Sequence, residues 1–212
     1  SLIEGARAHD LKLIMPWFGT WKNGRSFYVP EYVITDLDRF KRMERSDGQR
    51  LEVMSNLCEA TLAADTRAFV AFMKHLKKVD AKEQTVLMVQ IQNEVGLLGD
   101  TRDRSPAAQA AFEGEVPAAL MDYLKENRSR LKPHMLKVWG YQGFPESGTW
   151  QEVFGDGIEA DEIFMAWHYA SFMNHMAIKG REIYNLPMYV NGWLGQVKEG
   201  RPGKYPSGGP VA

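Results

Sequence analysis

The sequence is nearly free of cysteine: Cys58 is the only one in 212 residues. No disulfide can form within the chain, and a lone thiol with no histidine assigned to it reads as a packing residue rather than a nucleophile. There is no excess of one charge either. The 26 basic and 27 acidic residues leave a formal net charge of -1 and are mixed along the chain, so no block is offered to a nucleic acid or an anionic membrane. No apolar run approaches the ~20 residues that span a bilayer, and no secretory leader is visible. The chain also lacks an internal repeat, a low-complexity tract and a glycine motif that would cradle phosphate. His168 and His175 lie two turns apart on a predicted helix. That is not the i, i+4 spacing of H-E-x-x-H, so they read as helix-face residues, and neither a metal nor a cofactor is implied.

What the sequence does have is one stretch around which the rest is arranged, Thr85 to Gly96. Its first half, Val86-Leu87-Met88-Val89, is a near-continuous apolar run, the pattern of a strand buried on both faces in a parallel sheet. Its second half turns polar at Gln92, Asn93 and Glu94 before Gly96. Such a strand delivers an amide and an acid to the carboxyl end of a sheet, where α/β folds place their ligands.

The remaining segments fit that frame. Leu2 to about His9 reads as the last turns of a helix, and Leu11 to Trp17 as a strand with Pro16 at its end. The aromatic- and glycine-rich loop Phe18 to Val29 leaves that strand's carboxyl end, with Trp17, Trp21 and Tyr28 able either to stack on a ring or to pin the loop. Glu31, after Pro30, reads as a helix N-terminal residue. A crossover helix is expected from about Asn56 to Val79, with His75 on its surface, and a polar loop from Leu97 to Pro106 either bounds a site or is exposed. A helix follows over about Ala107 to Asn127, which Pro117 divides in two if it begins a second helix. His134 to Trp139 reads as a short extended piece inside an insertion at 132–156. A helix from Asp161 to Tyr184, capped near Asp161, presents Phe164, Trp167, Ser171, Asn174 and Ile178 on one face. The last strand, Met188 to Trp193, again ends in polar and aromatic residues, Asn191 and Trp193. Strands alternating with long helices predict an α/β fold with a parallel sheet.

Three motifs give the pattern a family likeness. Trp17-Phe18-Gly19-Thr20-Trp21-Lys22-Asn23-Gly24, the run Met88 to Gly96, and Leu186 to Leu194 occur in this order. Together they resemble β-galactosidases of glycoside hydrolase family 35 and their bacterial relatives, retaining glycosidases of clan A. The resemblance implies part of a (β/α)8 TIM barrel, roughly its third to fifth βα units, with the 132–156 insertion on the rim. A whole barrel usually takes about 250 residues, so the chain reads as an internal section of a longer protein.

By that resemblance Glu94 is the general acid/base and Asn93 holds the sugar's 2-hydroxyl, while Trp17, Trp21, Asn191 and Trp193 contact the carbohydrate. The nucleophile would lie on a later strand, leaving these residues inactive alone. Glu146 and Glu152 fall within the insertion rather than at a strand end. The implied partner is a terminal β-galactoside, with no nucleic acid and no membrane, and the likeness suggests a periplasmic or secreted enzyme of polysaccharide degradation. Other clan A activities (β-glucosidase, mannanase, arabinosidase) and a carbohydrate-binding pseudo-enzyme are the alternatives.

Overall fold

The computed structural model describes residues 1–193 and 200–211; Leu194, the last residue of the third motif, lies outside them. Helix α1 (Leu2–Ala8) starts in a capping box between Ser1 and Glu4 and ends before Asp10, whose φ of 53° breaks it ahead of strand β1 (Leu13–Trp17). The loop after β1 contains the short helix α2 (Glu31–Thr35) and a hairpin of β2 (Arg42–Glu44) and β3 (Arg50–Met54). Helix α3 (Glu59–Asp80) then returns the chain to the long strand β4 (Val86–Asn93). Four short helices follow, α4 (Pro106–Glu113), α5 (Ala118–Glu126), α6 (Pro133–Tyr141) and α7 (Trp150–Phe154). The 26-residue helix α8 (Ile158–Ile183) leads to strand β5 (Met188–Asn191).

Strands β1, β4 and β5 form one parallel sheet with β4 in the middle. Its register sorts the side chains into two faces. Met15, Val89 and Met188 share one row, turned toward α3 and α8, while Pro16, Gln90 and Tyr189 share the next, turned away. Phe69, Met73 and Leu76 of α3, with Phe172 and Met176 of α8, close the first face into a core with Val86, Val89 and Ile91. Each such side chain contributes about 1.5–3 kcal/mol when fully buried. Gly180 lets the two helices and the sheet meet, since a Cβ there would stand 2.5 Å from Cε1 of Phe69. On the other face Ile14 is 51% exposed and Tyr189 37%, so among the described residues this face has no second layer. The sheet is open: three parallel βα-type strands, with no closed barrel among the described residues.

Several expectations need correcting. His134 to Trp139 is helical, not extended: Pro133 opens α6 at its first turn, where proline's missing N–H matters least. The loop from Leu97 to Pro106 is not simply exposed. Arg102 is 3% exposed, donates from Nε to Asp161 at 2.8 Å and lies 3.9 Å over the ring of Phe112, while Arg104 reaches the other Asp161 oxygen at 2.7 Å. Asp161 therefore neutralises two arginines inside the first turn of α8 and does not cap it. The face traced through Ser171, Asn174 and Ile178 is solvent-exposed, and the buried stripe of α8 runs through Met165, Tyr169, Phe172, Met176 and Gly180. The amino-terminal part of α8 is covered by other helices as well. Phe164 meets Phe112 of α4 and Trp150 of α7 edge-on at 5.3 and 5.2 Å.

Candidate active site

The carboxyl end of β4 departs from strand geometry at two residues. Gln92 has φ 55° and Glu94 φ 44°, left-handed values that L side chains adopt at a cost of about 1–3 kcal/mol. Gln92 is held there by its own amide. Its Oε1 accepts the Trp21 N–H at 2.9 Å and its Nε2 donates to Asp65 at 2.6 Å. Asp65, on α3 and buried, also accepts the Trp17 indole N–H and both the backbone N–H and the hydroxyl of Thr20. One carboxylate thus ties α3, the β1 loop and the end of β4 together. Gly19 permits this closeness, since any Cβ there would fall 2.1 Å from a carboxylate oxygen of Asp65.

The turn at Gln92 has a consequence for the next residue. In a regular strand Gln90 and Gln92 would share a face and Asn93 would take the other. Here Gln92 turns back to the helices, and Asn93 joins Gln90 on the open face. The orientation of each amide is fixed by backbone carbonyls, which only accept. Nδ2 of Asn93 donates to the Lys22 carbonyl at 2.9 Å, and Nε2 of Gln90 donates to the Gln92 carbonyl at 2.8 Å. Oδ1 of Asn93 then faces two donors, Nε2 of Gln90 at 3.0 Å and Nδ2 of Asn191 at 2.8 Å. Tyr189 donates its hydroxyl to Oε1 of Gln90 at 3.0 Å. Both lone pairs of Asn93 are filled, and what it has left is one N–H. The free valence of the Asn93 side chain is thus a donor and not an acceptor.

Glu94 follows directly. Its backbone N–H bonds the Asn191 carbonyl at 2.8 Å, which extends the β4–β5 ladder past the strand. The side chain is half-buried, and among the described residues its carboxylate has no hydrogen-bond partner. Gly96, two residues on, has φ 142° and lies against Pro206, where a Cβ would stand 2.4 Å away. The segment at Pro206–Gly209 crosses here and bonds both ways between Leu97 and Ser207. A carboxylate without a partner among the described residues therefore sits on a backbone held on both sides.

The residues read from the sequence divide into two groups. Asn93, Glu94 and Asn191 come together at the carboxyl ends of β4 and β5, and Trp193 lies two residues beyond Asn191, half-buried, its indole N–H without a partner among the described residues. Trp21 and Trp17 do not join them. Trp21 is fully buried, edge-on to Tyr169 and Phe172 in the core, so no ring face is available to a sugar. Trp17 is on the helix-facing side of β1, against Phe69 and Phe72, and its N–H is spent on Asp65.

Gln90, Tyr189 and the Lys22 carbonyl were not singled out in the sequence. Tyr189 was findable as the row-mate of Gln90 once β4 and β5 are paired, but the Lys22 contact depends on loop shape alone. Among the carboxylates of residues 132–156, Glu152 is committed to α7. It accepts the backbone N–H of Thr149 at 2.7 Å and the Thr149 hydroxyl at 3.0 Å, which hold its carboxyl below the usual range. Glu146 is exposed on the loop before α7.

No protein-family model matches the sequence, and no curated protein matches it. Solved structures do. A catalytic mutant of a GH42 beta-galactosidase from G. stearothermophilus is similar over 90% of this chain at 14% identity and a TM-score of 0.52. A beta-galactosidase from the psychrophilic Marinomonas ef1 is similar over 89% of it, also at 14% identity and a TM-score of 0.52. The chain spans 27% and 28% of those two structures. The likeness establishes an α/β fold similar to part of a TIM-barrel glycosidase. It does not support family 35 specifically: the first of these structures is a GH42 enzyme.

Proposed function

We propose that this chain forms the acid/base portion of a clan A retaining β-galactosidase barrel, with Glu94 as general acid/base and Asn93 donating to the substrate's 2-hydroxyl. The observation behind the reading is the end of β4, where a half-buried carboxylate without a partner follows an amide whose only remaining valence is an N–H. A retaining enzyme needs a second carboxylate about 5–5.5 Å away as nucleophile. Glu152 is used as a cap and Glu146 lies on an exposed loop, so the nucleophile is assigned to a part of the barrel outside these 212 residues. The open face beside Ile14, Pro16 and Tyr189 is where the rest of a barrel interior would pack.

In the proposed reaction Glu94 protonates the leaving oxygen while the second carboxylate attacks the anomeric carbon. It then takes a proton from the water that releases the sugar. The N–H of Asn93 bonds the 2-oxygen, and Asn191 and Gln90 keep that N–H aimed by occupying both lone pairs on the other end of the amide. Asn191, with one N–H and its carbonyl oxygen still free, is the next contact available to the sugar. The substrate would be a terminal β-galactoside of an oligo- or polysaccharide, and the enzyme an exported one.

The test is release of monosaccharide from a panel of aryl β-galactoside, β-glucoside, β-mannoside and α-arabinoside by the complete barrel. Preferential release of galactose is expected. Preference for another sugar would keep the acid/base assignment but replace the substrate, and a folded complete barrel that cleaved none of them would favour a carbohydrate-binding protein.

A further inference from the structure

Two asparagines of this chain precede a glycine, in Asn23-Gly24 and Asn191-Gly192. The pairing matters because the backbone N–H after an asparagine can attack its side-chain amide carbon, and glycine, with no Cβ, hinders that approach least. The structure treats the two pairs differently. Oδ1 of Asn23 accepts the N–H groups of Arg25 and Ser26 at 2.9 and 2.8 Å, and Gly24 is buried, where a Cβ would stand 3.0 Å from the Gly96 carbonyl oxygen. Asn191 and Gly192 are both exposed, at the end of β5. Among the described residues nothing bonds to Oδ1 of Asn191 or to the Gly192 N–H; only Nδ2 of Asn191 is engaged, on Asn93.

Closing a ring between the Gly192 nitrogen and Cγ of Asn191 requires the peptide unit that joins them to turn. One backbone hydrogen bond resists that turn, from the Glu94 N–H to the Asn191 carbonyl at 2.8 Å. A single exposed bond of this kind is a small obstacle. At Asn23 the same closure would cost both bonds to Oδ1 and would move a buried glycine. Of the two pairs, the one beside Asn93 is the one free to react.

We propose that Asn191 is a site of spontaneous deamidation, which replaces the amide that fixes Asn93 by a carboxylate. The Gly192 N–H gives its proton to solvent hydroxide as the nitrogen bonds Cγ of Asn191. The Cγ–Nδ2 bond breaks, ammonia leaves with a proton from water, and a cyclic imide remains. Solvent water then opens the imide at either carbonyl, giving an aspartyl or an isoaspartyl residue. The balance is one water in and one ammonia out, with no change of oxidation state. The product carboxylate has no N–H, so an acceptor replaces the donor that stood 2.8 Å from Oδ1 of Asn93. Two acceptors repel at that distance, and the Asn93 amide loses a bond that fixes which of its ends faces outward. This consequence rests on the proposed sugar site, where it amounts to slow loss of the aimed N–H; the deamidation itself does not rest on it.

The experiment is incubation of the complete barrel in mildly alkaline buffer, with samples withdrawn over time for peptide mass mapping and for galactoside hydrolysis, in wild type, Gly192→Ala and Asn191→Asp. Gly192→Ala keeps Asn191 and is accommodated: its Cβ would meet only the Gly209 oxygen, at 3.6 Å, an ordinary contact. The peptide carrying Asn191 should gain the mass of an amide-to-acid exchange while the peptide carrying Asn23 stays unchanged. Conversion should be roughly tenfold slower in Gly192→Ala, because alanine narrows the backbone freedom that ring closure uses. Hydrolysis should fall in step with conversion, toward the level of Asn191→Asp. The proposal is overturned if the Asn191 peptide stays unconverted in the folded protein over a time in which the free peptide converts. Conversion at Asn23 as fast as at Asn191, or an unchanged rate in Gly192→Ala, also overturns it. Converted protein that hydrolyses as well as fresh protein overturns the consequence at Asn93. A folded barrel that cleaves no glycoside counts against the sugar-site reading alone, and the mass measurement then decides the deamidation.

Discussion

The side-chain amide of Asn191 donates to Oδ1 of Asn93 at 2.8 Å, joining the last residues of β5 and β4. With Gln90 filling the second lone pair, this bond decides which end of the Asn93 amide faces the open end of the sheet. In the proposed enzyme Asn191→Ala should lower kcat/KM for a galactoside about tenfold, the effect of loosening one aimed hydrogen bond. The same variant should lose little more on the matching 2-deoxy substrate, which has nothing for Asn93 to hold. Steady-state kinetics on the pair checks this, and equal losses on both substrates would contradict it.

Asp65 accepts four hydrogen bonds from Trp17, Thr20 and Gln92 in a buried setting. Asp65→Ala would strand all four donors and release the strained backbone at Gln92. A loss of about 3–5 kcal/mol is expected, the usual scale for removing one partner from a buried charged network. Urea unfolding measures it, and a loss below about 1 kcal/mol, within the range of an ordinary surface change, would show that the network is not what holds the β4 end.

At Gly180 two effects oppose each other. Alanine would favour the interior of α8 by about 1 kcal/mol through helix propensity. Its Cβ would also stand 2.5 Å from Cε1 of Phe69 and 2.9 Å from Cε of Met188. Methionine can move, but the ring of Phe69 is wedged between Trp17 and Phe72. Overpacking of about 1–3 kcal/mol should win, so Gly180→Ala is expected to lower thermal stability, as differential scanning calorimetry would show.

The order of strands and long helices was readable because buried β-runs and helical periodicity are local signals, and Pro117 did divide α4 from α5. What was not readable depended on contacts distant in sequence. The two-stranded hairpin of β2 and β3 has no long apolar alternation, and it is positioned by Asp103, which accepts from the Glu44 N–H and the Ser55 hydroxyl. Trp21 and Trp17 looked like equivalent rim aromatics, yet one fills the core and the other is claimed by Asp65. At the site, Asn93 and Glu94 were found from their place at a strand end. The company they keep was hidden, because period-two reasoning puts Gln90 with Gln92, and only the left-handed turn at Gln92 exchanges it for Asn93.

His168 lies against Trp150 and Phe164, and burial pushes its pKa from 6.5 down to about 4. The folded protein therefore holds it neutral while the unfolded chain takes up a proton near pH 6.5. Its contribution is complete above pH 6.5 and is lost as the pH falls toward 4, by at most about 3 kcal/mol. Urea unfolding at a series of pH values should show His168→Gln losing less stability than wild type between pH 7 and 4.5. Parallel curves would contradict the assignment.

The measurement that bears most directly on the account is hydrolysis of aryl β-galactosides of graded leaving-group ability by the complete barrel, wild type against Glu94→Gln. General acid/base catalysis contributes roughly 10²–10⁴-fold. The variant should lose activity on that scale with poor leaving groups, keep its first step with good ones, and regain turnover when azide replaces water as the attacking species. Equal losses across all leaving groups, without rescue by azide, would contradict Glu94 as the acid/base.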